Sequence, residues 1–390
     1  MKLNSFKSYL INIDIKHVLF LALFVRFLTL IIIPNQIFPD SNTYSQMADE
    51  LLSGNVVNTI LHMPGYAIWL KIGNSITNNS YGVKFLDIII SSLSVWVIYL
   101  LSKKIFKSEI AAKISAIISA FYPYFIFFSI TGLSENLFIF LLLCSFLCLY
   151  NKKIIIASVL LTCSTLIKGS TDYIYPIILI IFLFFIYKSK LKECLIYLAK
   201  YIVIYCILMT PWWIHNWNKY DQFVRLSLAD GHHLYIGNNI KNIRGTGIGG
   251  VDVDFREFDK YQKNPIEQSK KYKIEVKKFI TENPRDFLLL TSKKMLKFWS
   301  FYPNAEEYKS FFYVITSIMS YGIIFLLSII FLIRYGNNFF IPLLPIITFI
   351  LFLMLIHSVT IVSIRYRLPI DPFLIIFASY QIKELLKLKD

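Results

Sequence analysis

The stretch Phe38-Pro39-Asp40-Ser41-Asn42-Thr43-Tyr44 follows an apolar run at 17–34, and His62-Met63-Pro64-Gly65-Tyr66 comes soon after it. The run has the length a helix needs to cross a bilayer. It is too long, and too poor in small residues near its end, for a cleavable signal peptide, so it reads as a retained span. Standing alone, Asp40 at the mouth of that span would be a solvated loop acid. The residues that accompany it along the chain argue for an active site at a membrane face. Tyr44, Met47, Ala48, Leu51 and Leu52 recur at helical spacing, and 66–72 forms a second apolar turn. The segment 35–81 is therefore expected to carry two amphipathic helices lying in the interface.

Outward from this loop the chain is apolar almost throughout. Its 390 residues are 56% hydrophobic, 17% aromatic and 16% charged, with a mean hydropathy of +0.59. A soluble domain of that composition would expose too much apolar surface, so the fold class is an all-α polytopic membrane protein. About ten spans of helix length follow from windowed hydropathy. They lie near 17–34, 82–101, 109–129, 135–150, 154–168, 173–187, 195–213, 312–333, 339–358 and 368–385. Basic residues cluster in alternate connections: Lys103, Lys104 and Lys107, then Lys152 and Lys153, then Lys188, Lys190 and Lys192, then Arg334. By the positive-inside rule both termini are cytoplasmic, and the two longest loops, 35–81 and 214–311, face outward. The net charge of +16 lies largely in those Lys-rich connections, which makes it an orientation signal and not a nucleic-acid footprint. The five cysteines avoid the long polar segments, so no disulfide framework is expected. The chain 1–390 is read as one membrane-embedded domain, with no internal duplication of the transporter kind.

The outward loops collect Asp40, His62, Glu135, Lys168, Asp172, His215, Arg225, His232, His233, Arg244, His357, Arg365 and Arg367. Ionisable groups at a bilayer boundary are costly unless paired or used. Carboxylates beside Arg and Lys suit a reaction on a phosphorylated lipid: an acid activates a nucleophile, and cations hold the departing phosphate. Each has a plainer reading too. Glu135 opens a span after Ser134, as a helix N-terminal acid with a serine cap would. Lys168 and the pair Arg365 and Arg367 can snorkel. Asp87, inside the second span, reads as a polar packing contact between helices. His232-His233 are adjacent, so their side chains diverge and do not favour a shared metal. The run 245–250 lacks the Lys-Ser/Thr of a phosphate-binding loop and is a flexible turn. Pro211-Trp212-Trp213 reads as an aromatic girdle, and 265–300 as one or two basic amphipathic helices.

The order of these motifs resembles the GT-C membrane glycosyltransferases. Within them it is most similar to the bacterial branch of glycosyltransferase family 39, related to protein O-mannosyltransferases and lipid A aminoarabinose transferases. The resemblance runs from about residue 15 to 385. It rests on Asp40 after the first span, Pro64-Gly65-Tyr66, and Ser134-Glu135-Asn136-Leu137-Phe138. Further along it rests on Pro211-Trp212 with Asn216, Tyr235-Ile236-Gly237-Asn238, and Arg365-Tyr366-Arg367-Leu368-Pro369-Ile370-Asp371-Pro372. It implies transfer of a sugar from a polyprenyl-phosphate donor to an acceptor hydroxyl, with inversion at the anomeric carbon. Asp40 would be the base that takes the acceptor proton, and Glu135 a second acid that orients acceptor or metal. Lys168, Arg365 and Arg367 would hold the phosphate, with His62, Tyr66, His215 and Arg225 completing the substrate-binding set. Ser41 stands where many relatives carry a second acid, and His215 where they usually carry Arg. No cofactor is implied with certainty, and a divalent metal ion stays open. The implied partners are the lipid-linked donor, an envelope glycan, lipid or protein as acceptor, and membrane lipids. A polysaccharide polymerase and a lipid or oligosaccharide flippase are the competing readings. The first does not call for the Asp40 loop, and the second calls for repeats and deep charges.

Overall fold

The computed structural model describes residues 12–33, 38–53, 62–77, 79–242, 245, 264–303 and 310–390, and the described residues contain helices and no strand. A helix occupies each of the ten predicted positions. The helices α1 (Ile15–Ile32), α4 (Tyr81–Phe106) and α10 (Leu191–Tyr220), and the continuous stretch Phe311–Val359, are long and apolar enough to cross a membrane. Between α1 and α4 lie α2 (Pro39–Ser53) and α3 (Pro64–Thr77), the two helices expected in the first loop. The span at 109–129 is broken at Pro123 into α5 (Glu109–Phe121) and α6 (Pro123–Phe128). The helices α7 (Glu135–Tyr150), α8 (Ile154–Ile167) and α9 (Ile174–Ile181) follow, the last extended by a π turn, Phe182–Ile186.

The long segment after α10 contributes α11 (Ala229–Gly237), α12 (Pro265–Glu282) and α13 (Pro284–Phe298). Next come α14 (Phe311–Ser317), a π turn, and α15 (Ile323–Tyr335). The chain finishes with α16 (Phe340–Val359), the single turn α17 (Ile364–Arg367) and α18 (Asp371–Leu385). Proline begins α12 and α13, where its missing N–H is not needed. The glycine-rich run at 246–250 falls outside the described residues.

In an apolar interior an orphan carbonyl at a broken helix has no water to bond, so a side chain must replace it. Arg26 of α1, fully buried, does this for α5. Its guanidinium donates to the carbonyls of Ser119 (3.3 Å) and Ala120 (3.1 Å), freed by the break at Pro123, and to Ser91 Oγ of α4 (2.9 Å). Asp87 of α4 is a packing group, as its position predicts. It accepts from Tyr66 Oη (2.8 Å) and Trp69 Nε1 (3.0 Å), which pins α3 against the bundle.

The end of α10 is more than a girdle. Trp212 and Trp213 donate to the carbonyls of Leu226 (2.7 Å) and Arg225 (2.9 Å), and Asn216 donates to that of Val224 (3.2 Å). These three bonds hold the irregular segment that carries Arg225.

The end of α11 meets the end of α16 closely enough that a Cβ on Gly237 would lie 1.8 Å from the Thr360 carbonyl oxygen. Gly237→Ala is therefore expected to lower the yield of folded protein and its Tm sharply. Gly336→Ala, whose Cβ would meet nothing within 4 Å, should leave both unchanged. Thermal unfolding of the two variants in detergent checks this contrast.

Candidate active site

Four of the predicted site residues converge in one continuous ion network. Arg365, on the one-turn helix α17, donates from Nη1 to Asp40 Oδ2 (2.7 Å) and from Nε to Glu135 Oε1 (2.9 Å). Lys168, just past α8, donates to the same Glu135 oxygen at 2.8 Å. Glu135 is 0% exposed and Asp40 36% exposed, so one acid anchors the network inside while the other meets the cavity. Against the burial that would lower it, Glu135 and Asp40 hold the Arg365 guanidinium above the ordinary arginine range.

Local structure explains how each side chain arrives. Asp40 sits in the first turn of α2, where a carboxylate favours the helix dipole. The start of α2 is tied to the turn before α7: Ser41 Oγ donates to the Thr131 carbonyl (3.4 Å) and Tyr44 Oη to Ser134 Oγ (3.2 Å). That turn passes through Gly132 at φ +64°, which suits glycine. Ser134 makes no side-chain cap on α7, so the simple capping explanation of Ser134-Glu135 does not hold.

Asp40, Lys168 and Arg365 border a cavity of about 660 Å³. Its lining joins apolar Phe138, Ile167, Leu353 and Ile356 with basic Arg225, Lys270 and Lys273. His62 lines it beside Tyr44, ring centroids 4.5 Å apart, and burial lowers the pKa of the His62 imidazole. Arg225 lines it too, paired with Asp172 at 2.5 Å and lying 4.6 Å from the Tyr173 ring centroid. His233, from the adjacent His232-His233 pair, and Tyr366 join the wall.

Three predicted residues are placed elsewhere. Tyr66 is fully buried one layer behind Tyr44 and spends its hydroxyl on Asp87. His215 stacks on Trp212, centroids 5.5 Å apart and planes 10° apart, away from the cavity lining. Arg367 points opposite to Arg365, into a buried cluster with Asp371 (3.4 Å) and the Tyr321 ring (3.3 Å to the centroid). The expectation that Arg367 faces the phosphate therefore does not match its position. Lys294, read from sequence only as one lysine of a basic helix, is fully buried among backbone oxygens. Its spacing carried no signal for that.

Among the described residues no group of three or more His, Cys, Asp or Glu side chains comes together to hold a metal ion. Glu135 Oε1 is shared by Lys168 and Arg365 and Asp40 Oδ2 faces Arg365, while Glu135 Oε2 is buried without a hydrogen-bond partner.

The family profile described as dolichyl-phosphate-mannose-protein mannosyltransferase matches residues 62–215. No curated protein matches the chain in sequence. Among solved structures, ArnT from Cupriavidus metallidurans, bound to undecaprenyl phosphate, superposes with a TM-score of 0.59 at 12% identity, over 94% of this chain and 59% of that one. The oligosaccharyltransferase AglB from Archaeoglobus fulgidus, in complex with an inhibitory peptide and a dolichol-phosphate, gives 0.59 at 14% identity, over 96% of this chain and 50% of that one. A further structure of the Archaeoglobus fulgidus oligosaccharyltransferase, with Zn and sulfate, gives 0.57 at 15% identity, over 95% of this chain and 49% of the other. The chain thus spans from about half to three fifths of the length of these relatives. The fold is that of the GT-C membrane glycosyltransferases.

Two expectations follow. Glu135→Gln takes from the largely buried Lys168 its carboxylate partner and should cost about 3–5 kcal/mol, whereas Asp40→Asn, at the more exposed acid, should cost about 1 kcal/mol or less. Thermal unfolding of the two variants tests the order, and a larger loss for Asp40→Asn would contradict Glu135 as the buried anchor. Burial, then His232, pushes the His233 imidazole down to about 4. In the unfolded chain a histidine titrates near about 6.5, so stability present at neutral pH is lost as pH falls through that window. His233→Gln should therefore lose less Tm than wild type between about pH 7 and about pH 5.

Proposed function

We propose that the chain is an inverting glycosyltransferase that moves a sugar from a polyprenyl-phosphate donor to an acceptor hydroxyl at the membrane surface. The observation that carries this is a carboxylate, Asp40, facing a cavity and paired with Arg365, which shares Glu135 with a second cavity-lining cation, Lys168, beside apolar lining residues. The likeness to ArnT, seen with undecaprenyl phosphate, and to AglB, seen with a dolichol-phosphate, supports a lipid-linked donor.

In this reading the lipid tail lies along Phe138, Leu353 and Ile356, and the phosphate meets Arg365 and Lys168. Asp40 accepts the proton of the acceptor hydroxyl, and that oxygen forms its bond to the anomeric carbon from the face opposite the phosphate. The anomeric carbon–oxygen bond to phosphate breaks, and its electron pair leaves with the polyprenyl phosphate. The negative charge that develops there falls on Arg365 and Lys168, pre-aligned donors that need no reorganisation. Glu135 holds both cations in place. His62 and His233, with lowered imidazole pKa, are neutral at pH 7 and offer ring faces and hydrogen bonds to sugar without adding charge. Both termini lie in the cytoplasm and the site opens on the outer face, which the charge of the connections supports. The acceptor is an envelope glycan, lipid or protein.

Loss of a positioned base lowers turnover by about 10²–10⁴-fold, so Asp40→Asn should abolish most transfer while inserting normally. Membranes expressing the chain are supplied with radiolabelled polyprenyl-phosphate sugars and followed for label transfer. Full turnover by Asp40→Asn would remove Asp40 as the base. A wild type that consumes no donor from a broad panel would bring the flippase reading forward.

A further inference from the structure

Arg365 sits on a strap, residues 360–370, between the end of α16 and the start of α18. A one-turn helix cannot hold its own direction, and α17 begins on two local bonds, from the Tyr366 N–H to the Ser363 carbonyl (3.0 Å) and from the Arg365 N–H to the Ser363 hydroxyl (3.4 Å). Side chains from outside hold it at both ends, and at each end α13 or the residue just past it takes part.

At the first end, Lys294 of α13 donates to the carbonyl oxygens of Val359 (3.2 Å) and Thr360 (2.9 Å), where α16 stops. The same ammonium reaches the Gly237 carbonyl (3.1 Å) and Asn238 Oδ1 (2.9 Å) at the end of α11. All four acceptors are neutral oxygens, so the lysine serves geometry and neutralises no acid among them. At the second end, Arg367 Nη1 donates to the carbonyl of Ser300, just past α13, at 2.5 Å. Its guanidinium lies over the Tyr321 ring and beside Asp371, which in turn accepts from Tyr122 Oη at 2.7 Å. Side chains two residues apart on one helical turn point to opposite sides. Seating Arg367 away from the cavity is therefore what aims Arg365 into it.

We infer that α13 and the residues just past it are the positioning element of the active site, and that Lys294 and Arg367 are positioning residues that act through Arg365. The inference rests on the proposed transfer reaction for its kinetic consequence, but its structural half stands without it. It also gives the long segment after α10 a direct mechanical hold on the group that meets the phosphate.

The test is a double-mutant cycle in nanodiscs with Arg367→Lys, Lys294→Gln and Arg365→Lys. Arg367→Lys keeps the charge beside Asp371 but loses the planar fork, and Lys294→Gln loosens the other end should the first variant fold poorly. A displacement of about 1 Å at a reacting group is enough to cost on the order of 100-fold, so either variant should lower kcat/KM for the donor by at least about tenfold. In the Arg365→Lys background the same change should lower it by less than about twofold, because the group being positioned is already altered. Losses of Tm, in contrast, should persist in both backgrounds. Hydrogen exchange supplies the second arm: the amides at 364–368 should exchange at least about tenfold faster in Arg367→Lys while those of α7 do not change. Multiplicative effects on kcat/KM, or unchanged exchange at 364–368, would overturn the inference. A wild type inactive on every lipid-linked donor would instead remove the transfer reading, and the exchange arm alone would then decide the positioning role.

Discussion

A carboxylate that stays ionised out of water needs cations or hydrogen-bond donors around it, and Glu135, fully buried at the start of α7, is met by two cations. Lys168 comes from the end of α8, 33 residues on, and Arg365 from α17, 230 residues on. Arg365 then reaches past it to Asp40 on α2, 325 residues away. Four elements are thus tied at one point by charge, and Asp40, Arg365 and Lys168 meet the cavity with the fully buried Glu135 behind them. Removing a buried partner is worth more than the pair itself contributes, because the remaining charge stays desolvated. The arrangement makes the site and the fold around it interdependent.

A second constraint recurs through the molecule: broken helices in an apolar surround leave carbonyls that something must satisfy. Arg26 takes those of Ser119 and Ala120, and Lys294 those of Gly237, Val359 and Thr360. Asn136 takes that of Phe128 at 2.7 Å, and Asn238 donates to Val359 at 2.7 Å. These breaks are where the chain turns from spans to site. Two kinds of polar side chain recur in this otherwise apolar sequence: those that complete a backbone, and those that face the cavity. Arg26, Asn136 and Lys294 are of the first kind, and Asp40, Lys168 and Arg365 of the second.

Much of this was legible along the chain. Hydropathy located a helix at each predicted span, helical spacing found α2 and α3 in the first loop, and Asp40, Glu135, Lys168 and Arg365 stood out as charges at helix ends. The reading of Asp87 as a packing group follows from its depth. These conclusions depend on properties that are local in sequence: length, period and the cost of a charge near a membrane.

Which charge faces which neighbour is not local, and there the sequence was silent. Arg365 and Arg367 are equivalent by composition and placement, yet one enters the cavity and the other lies on Tyr321, because Ser300, Tyr321 and Asp371 converge on one side of a single turn. Tyr66 was drawn inward by Asp87, and His215 was stacked on Trp212. Lys294 looked like any lysine of a basic amphipathic helix until α11 and α16 brought four oxygens around it. The sequence by itself determined a polytopic helical chain with candidate functional charges at helix ends, since those follow from transfer of side chains between water and lipid. Only the tertiary structure decided which of those charges form the site, because a side chain's partner is set by helices that meet hundreds of residues apart.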